Sequence, residues 1–354
     1  MIDVFGTLGP SCDNEDILYE MFKEGMTGIR INLSHVKLAD CAESITQIKT
    51  AAKRAAVEPK ILIDMQGPEL RIGNLEKPIE LHQDDIIGLC AKNNEANTES
   101  ETENRPSVAV PVDSIILENL RVGQEILLDD GKIAAQVISI DVENAPMSDF
   151  LVDVLAVPSA RLKVTREGLL QGRKSIAIVG QTIEMPAITD TDRENIALAA
   201  KYGVTGVMQP FVRRVKELEE LRKELDNNDG QQIRIYAKIE NMDGVENLET
   251  FFPYADEIVI ARGDLGNAMP LWELPKVQKM IAKTCKYSAM PFMVVTQMLA
   301  SMEHSKVPTR AEVSDIYNAV LDGASSVMVT GETAVGENPV DVIKYLSKTA
   351  QVAM

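Results

Sequence analysis

The stretch "IRIYAKIENMDG", Ile233 to Gly244, has the period of a strand but carries charge inside it. Side chains on a strand alternate, so Ile235, Ala237 and Ile239 share one face and Tyr236, Lys238 and Glu240 the other. The aliphatic face suits packing against helices, and the second face then points into a barrel. Lys238 and Glu240 fall at the C-terminal end of the strand, where barrel enzymes keep their sites. The residues leave two readings open: an internal ion pair capping the strand, or a reactive pair.

Outward from this strand the same unit repeats. Strand-length apolar segments at 3–7, 27–33, 60–65, 203–209, 233–239, 256–261, 291–296 and 325–330 alternate with segments of helical spacing. The helical patterns include 14–26, 37–56 and 191–201, and a last one spans 338–352. Strands in βα alternation, eight of them, predict an α/β fold, the TIM (β/α)8 barrel. Residues 69–182 interrupt the alternation, and that is far too long for a βα connection. Their short alternating segments ("PIELH", "DIIGLCA", "KIAAQVISI", "FLVDVLAV") and the turn signal "DDG" at 129–131 predict an inserted small antiparallel β-barrel. The expected organisation is therefore 1–68 and 183–354 as barrel, with 69–182 inserted after the third strand. An insertion there overhangs the C-terminal mouth and is expected to act as a lid. Within it, "KNNEANTESETENRP" (92–106) has almost no apolar residues and predicts a mobile surface loop.

Composition narrows the partners. The 354 residues are 45% hydrophobic, enough for one large core or two modest ones. A formal charge of -18 argues against a nucleic-acid backbone or an anionic membrane as partner, since both repel an acidic chain. The sequence shows no signal peptide and no membrane-spanning apolar run, so a cytoplasmic location is expected. Cys12, Cys41, Cys90 and Cys285 are scattered without metal or redox spacing and read as free thiols.

The strand ends carry the chemistry. The sixth ends in "ARGDLG" (261–266), which brings Asp264 to the same mouth as Glu240. Two carboxylates there make a hard oxygen site for Mg²⁺ or Mn²⁺, with Gly263 and Gly266 keeping the backbone close; a plain Asp-Gly turn is the other reading. The second strand ends in "RINLSH", so Arg30, Asn32 and Ser34 share a face. Arg30 reads as a fork for phosphate or carboxylate, or as a structural salt bridge. Asn32 and Ser34, with Asp64 at the end of strand three, offer oxygens to a monovalent cation or form an ordinary hydrogen-bond network. Thr296 aims a hydroxyl at the mouth from strand seven. No glycine-rich phosphate loop occurs, so any phosphate must be held by cations and a metal. Arg71, Arg173 and Lys174 supply positive charge from the insertion, or are solvated surface residues.

With these residues in hand, the chain resembles the pyruvate kinase family over nearly its whole length. The blocks "GIRINLSH", "IDMQGPELRIG", "AKIEN", "VIARGDLG", "TQMLASM", "PTRAEVSDIYNAVLDGA" and "VTGETAVG" are similar to that family's signatures, in order and at comparable spacing. The resemblance implies phosphoryl transfer from phosphoenolpyruvate to ADP, giving pyruvate and ATP. It implies Glu240 and Asp264 as ligands of Mg²⁺ or Mn²⁺, and Lys238 as the cation on the transferring phosphoryl and enolate oxygens. Arg30 matches the arginine near the phosphate. Gly263, Asp264 and Thr296 match the substrate carboxylate site, with Thr296 also on the proton-delivery path. Asn32, Ser34, Asp64 and the carbonyl of Met65 match a K⁺ site, and Glu69 the residue of potassium-dependent members. His35, Arg71 and Lys174 match positions around the nucleotide.

The sequence also departs from the family pattern. Gln66 stands where a lysine is usual, Ala268 where a glutamate is usual, and Pro210 where a serine is usual. The family's C-terminal regulatory domain is expected to be absent, so the resemblance is to a short form. Two other functions compete: a metal-dependent lyase of the phosphoenolpyruvate/pyruvate barrel type, and a catalytically weak homologue with a binding role. Segment 308–322 resembles the family's barrel-to-barrel interface, and a homodimer is expected.

Overall fold

The computed structural model describes residues 2–34, 36–68, 70–91, 108–129, 131–140, 160–181, 183 and 185–354. His35, Glu69, the 92–106 segment and the strand expected at "FLVDVLAV" lie outside the described residues. The chain divides into two compact units, Met1–Pro68 with Pro186–Met354, and Glu69–Met185.

The first unit is a closed barrel of parallel strands. In chain order they are Asp3–Thr7, Gly28–Asn32, Lys60–Asp64, Gly206–Gln209, Arg234–Ile239, Glu257–Ala261, Phe292–Val295 and Ser326–Met328, the last pairing with the first. The expected alternation is borne out. Ile235, Ala237 and Ile239 join the apolar layer between strands and helices, while Tyr236 packs inside the barrel with Phe5, Leu62, Met208, Val259 and Met293. The barrel interior is thus a packed core, and reactive groups are left to its ends.

Local chemistry sets the helix starts. Asn14 accepts from the N–H groups of Asp16 and Ile17 ahead of helix Glu15–Lys23. Thr189 and Asp192 form a capping box for Asp190–Tyr202, and Thr309 and Glu312 one for Arg310–Leu321. Gly203, at φ 76°, closes Asp190–Tyr202 in the left-handed conformation that glycine adopts without a Cβ clash. The helix expected over 37–56 opens instead as a 3-10 turn, Leu38–Cys41, before the α-helix Ala42–Arg54. Strand seven stops at Val295, one residue short of expectation, because Thr296 and Gln297 turn the chain at φ 79° and 55°.

The second unit has its own core, which includes Ile87, Leu89, Val110, Ile126, Val137 and Leu162. Its main sheet runs Ile176–Ile178, Glu125–Leu128, Ile133–Ile140, Ala160–Arg166, Ile86–Ala91, Val108–Val112. Pairing is antiparallel except between Ile86–Ala91 and Val108–Val112, which run parallel. Ile79–Leu81 and Gly168–Leu170 form a separate antiparallel pair. Among the described residues no helix is long and apolar enough to cross a membrane.

Candidate functional site

The ends of strands two, three and five converge on one carboxylate. Register places Asp64 level with Asn32 on one side and Met208 on the other. Arg30 donates through Nε (2.8 Å) and Nη2 (2.7 Å) to Asp64 Oδ2, a fork that fixes the guanidinium plane. Lys238 Nζ lies 3.1 Å from Asp64 Oδ1 and 2.9 Å from Glu240 Oε1. The Arg30 Nη1 group reaches Thr7 Oγ1, whose hydroxyl donates in turn to the Val329 carbonyl. All four charged side chains are nearly out of solvent, at 12%, 13%, 3% and 1% exposure for Arg30, Lys238, Asp64 and Glu240.

Electrostatics hold Asp64 and Lys238 ionised. Burial by itself would raise the pKa of Asp64, but Lys238 and Arg30 outweigh it and hold the carboxyl below its ordinary range. Burial would likewise lower Lys238, yet Asp64 and Glu240 push it above an ordinary lysine. Two cations face two anions, and the cluster is neutral as a whole. Its stabilising charge pairs persist through neutral pH: Asp64's contribution is lost only as pH falls through its depressed value, Lys238's only as pH rises through its elevated one.

Glu240 is aimed by a second contact. Its Oε2 accepts from the N–H of Phe211 at 2.8 Å, and Phe211 takes φ 53° to present that group. A left-handed conformation is uncommon for a bulky residue, and the contact is what it achieves here. Ile239 pairs with Ile260, so Glu240 sits level with Ala261, three positions before Asp264. Asp264 is half-buried on a one-and-a-half-turn helix, Arg262–Asn267, that starts where strand six ends. Among the described residues no cluster of three or more His, Cys, Asp or Glu could hold a metal. A carboxylate pair is nonetheless the donor set Mg²⁺ uses when water and substrate oxygens complete its shell.

Gly263 and Thr296 are brought together just past the ends of strands six and seven. A Cβ built on Gly263 would lie 3.2 Å from Thr296 Cγ2, so the glycine admits the threonine at close quarters. The carbonyl of Thr296 accepts from Arg262 Nε (3.1 Å) and Nη2 (2.7 Å), and Arg262 Nη1 pairs with Asp315 at 2.6 Å. The next loop is clamped as well: buried Glu332 accepts from Leu299 N–H, and Glu312 from Ser301 N–H and hydroxyl.

Of the proposed K⁺ ligands, Asn32 Oδ1 accepts from Ser34 N–H at 3.2 Å and Met65 N–H donates to Met208. Asp64 Oδ1 carries the Lys238 bond and has lone-pair capacity for a further cation. Arg71 and Lys174 sit on paired segments of the inserted unit, where Arg71 bridges to Ser175 and donates to the Arg173 carbonyl. Lys174 is 2.9 Å from Asp129.

The family model described as "Pyruvate kinase, barrel domain" matches residues 1–343. The chain belongs to the pyruvate kinase family. It is 34% identical to the pyruvate kinase of Geobacillus stearothermophilus over 345 residues, covering 97% of this chain and 55% of that protein. To the pyruvate kinase of Thermotoga maritima it is 35% identical over 348 residues, covering 98% and 70% respectively. It therefore spans only slightly more than half the length of the first of these relatives.

Against that family background, the residues that sequence reading passed over are Arg262, Phe211 and Thr7. Arg262 lies inside the quoted block "VIARGDLG", but its role depends on a carbonyl turned out by the positive φ of Thr296. Phe211 acts only through its N–H. Thr7, in the first strand, reads as an ordinary polar strand residue until Arg30 is seen to reach it.

Proposed function

We propose that this chain transfers the phosphoryl group of phosphoenolpyruvate to ADP, giving pyruvate and ATP. The observation that carries the reading is the buried, charged Lys238, held beside Arg30 by Asp64 and Glu240. A preorganised ammonium and a planar guanidinium at one barrel mouth suit a phosphoryl group whose negative charge spreads over its oxygens.

In this reading the bond from phosphorus to the enol oxygen breaks, and a bond to a terminal oxygen of ADP forms. Lys238 stabilises charge on the transferring phosphoryl and on the enolate oxygen. Arg30, its plane fixed by Asp64, lends its positive charge to the phosphate. The backbone at Gly263 and Asp264, with Thr296, seats the substrate carboxylate, and the Thr296 hydroxyl lies on the route by which the enolate carbon gains its proton. Glu240 and Asp264 would hold a divalent metal, Mg²⁺ or Mn²⁺, which when bound neutralises charge between the phosphate and enolate oxygens. Asn32, Ser34, Asp64 and the Met65 carbonyl would hold K⁺. Arg71 and Lys174 are the nucleotide candidates carried by the inserted unit. A neutral cluster suits this assignment, since metal and anionic substrate arrive with compensating charge.

The reading includes a cytoplasmic homodimer through helix Arg310–Leu321, supported by the exposed Tyr317 and Leu321 along it. Light scattering at micromolar concentration showing monomer alone would remove the dimer. Phosphorus NMR of a mixture of phosphoenolpyruvate, ADP and Mg²⁺ tests the reaction. The expected result is loss of the phosphoenolpyruvate resonance matched by an equal gain of ATP; consumption of phosphoenolpyruvate without ADP, or none, would overturn it.

A further inference from the structure

The chain leaves the barrel at Gln66–Gly67–Pro68 and returns at Pro186–Thr189, and a single buried carboxylate holds both passages. Asp192 is fully buried. Its Oδ1 accepts from Gln66 N–H at 3.1 Å and its Oδ2 from Gly67 N–H at 3.2 Å. The same Oδ2 accepts from Thr189 N–H (3.0 Å) and Thr189 Oγ1 (2.7 Å). A helix cap accounts for the Thr189 bonds alone; it needs nothing from residues 66 and 67, more than a hundred positions away.

The outgoing passage also bears on the candidate site. Gly67 takes φ 59°, and a Cβ there would lie 2.4 Å from Pro210 Cγ, so glycine is required by both conformation and space. Pro210 precedes Phe211, whose N–H aims Glu240. Buried Gln209 ties the same loop to the returning passage through the Ala187 carbonyl at 2.9 Å.

We propose that Asp192 is a positioning residue: it clamps the two chain passages together and thereby braces the 209–211 loop that orients Glu240. Removing its acceptors frees Gln66 and Gly67 to shift, Pro210 loses its backing, and the Phe211 N–H drifts from the carboxylate. The consequence for the metal rests on the phosphoryl-transfer reading; the clamp itself does not.

Hydrogen exchange on the intact chain separates the two. In the wild type the Gly67 and Thr189 amides should be protected and open together. Asp192→Asn should remove protection at residues 66–67, 189 and 211 while the distant strands keep theirs. Thr189→Val, which breaks the cap but leaves both bonds from the outgoing passage, should affect only the helix start. With Mn²⁺ as the probe, Asp192→Asn should weaken binding about tenfold, the scale of losing a group that orients a ligand, and Thr189→Val should not. Equal effects of the two substitutions, or wild-type Gly67 exchanging as free chain, would reduce Asp192 to a helix cap and overturn the proposal. Should Asp192→Asn not fold, the wild-type Gly67 and Thr189 rates and the Thr189→Val pattern still decide it.

Discussion

The two ends of the barrel bury carboxylates in opposite ways. At the C-terminal end Asp64 and Glu240 are matched by full cations, Arg30 and Lys238, at hydrogen-bond distance. At the N-terminal end Glu257, equally buried, accepts from the hydroxyls of Ser325 and Ser326, and its cation, Arg234, stands off at 3.8 Å. The pKa values follow. Burial raises Glu257, and the serine hydroxyls and Arg234 do not cancel it, whereas Asp64 is held low by its cations. Neutral partners satisfy a structural carboxylate. Paired cations at a barrel mouth hold positive charge that a substrate can use.

The largest way to break this contrast is to remove the ammonium. Lys238→Ala should lower turnover about a thousandfold, as expected for one preorganised charge in a desolvated site, with circular dichroism unchanged. Arg234→Ala, at the other end, should leave turnover where it was. Next comes Glu240→Gln, which keeps the side chain's shape and the Phe211 bond but halves the charge of the metal pair. Its metal requirement should rise about tenfold or more, read as the Mg²⁺ concentration giving half-maximal rate. Arg262→Lys should follow with a fall in kcat of about tenfold, because an ammonium cannot serve the Thr296 carbonyl and Asp315 through one planar fork.

The smallest effect is expected at the opposite end. Glu257→Gln should leave turnover unchanged and alter only the pH dependence of folding. The folded-state pKa of Glu257 is raised, so the native state binds its proton more readily than the unfolded chain does. Wild-type stability should therefore gain on the variant as pH falls through that raised value toward 4.5, the ordinary value. Urea midpoints at neutral and mildly acidic pH should show a gain of a few tenths of a molar; a gain in the other direction would contradict the burial argument.

Much of this architecture was legible in the amino-acid order because the barrel repeats a local rule. Alternating residues such as Ile235, Ala237 and Ile239 announce a strand whose two faces differ, and eight such segments between helical patterns leave little choice of fold. What order alone could not supply was partnership across strands. Asp64 reads as one more oxygen at a strand end, and only the folded side chains reveal that Arg30 and Lys238 both claim it. Thr296 reads as a hydroxyl, yet its carbonyl also matters, and nothing in a β-branched residue signals a positive φ. Asp192 gave no signal in the amino-acid order because its second set of partners is remote in sequence. The parallel pair in the inserted unit was missed for the same reason, since strand partners there are chosen by pairing rather than by pattern.

The most direct measurement of the central claim is pyruvate formed from phosphoenolpyruvate and ADP with Mg²⁺, in K⁺ and in Na⁺ buffer, for the wild type and Lys238→Ala. The account predicts wild-type turnover stimulated by K⁺ and lost in the variant. Turnover that survives Lys238→Ala, or a wild type inactive with every common nucleoside diphosphate, would contradict it.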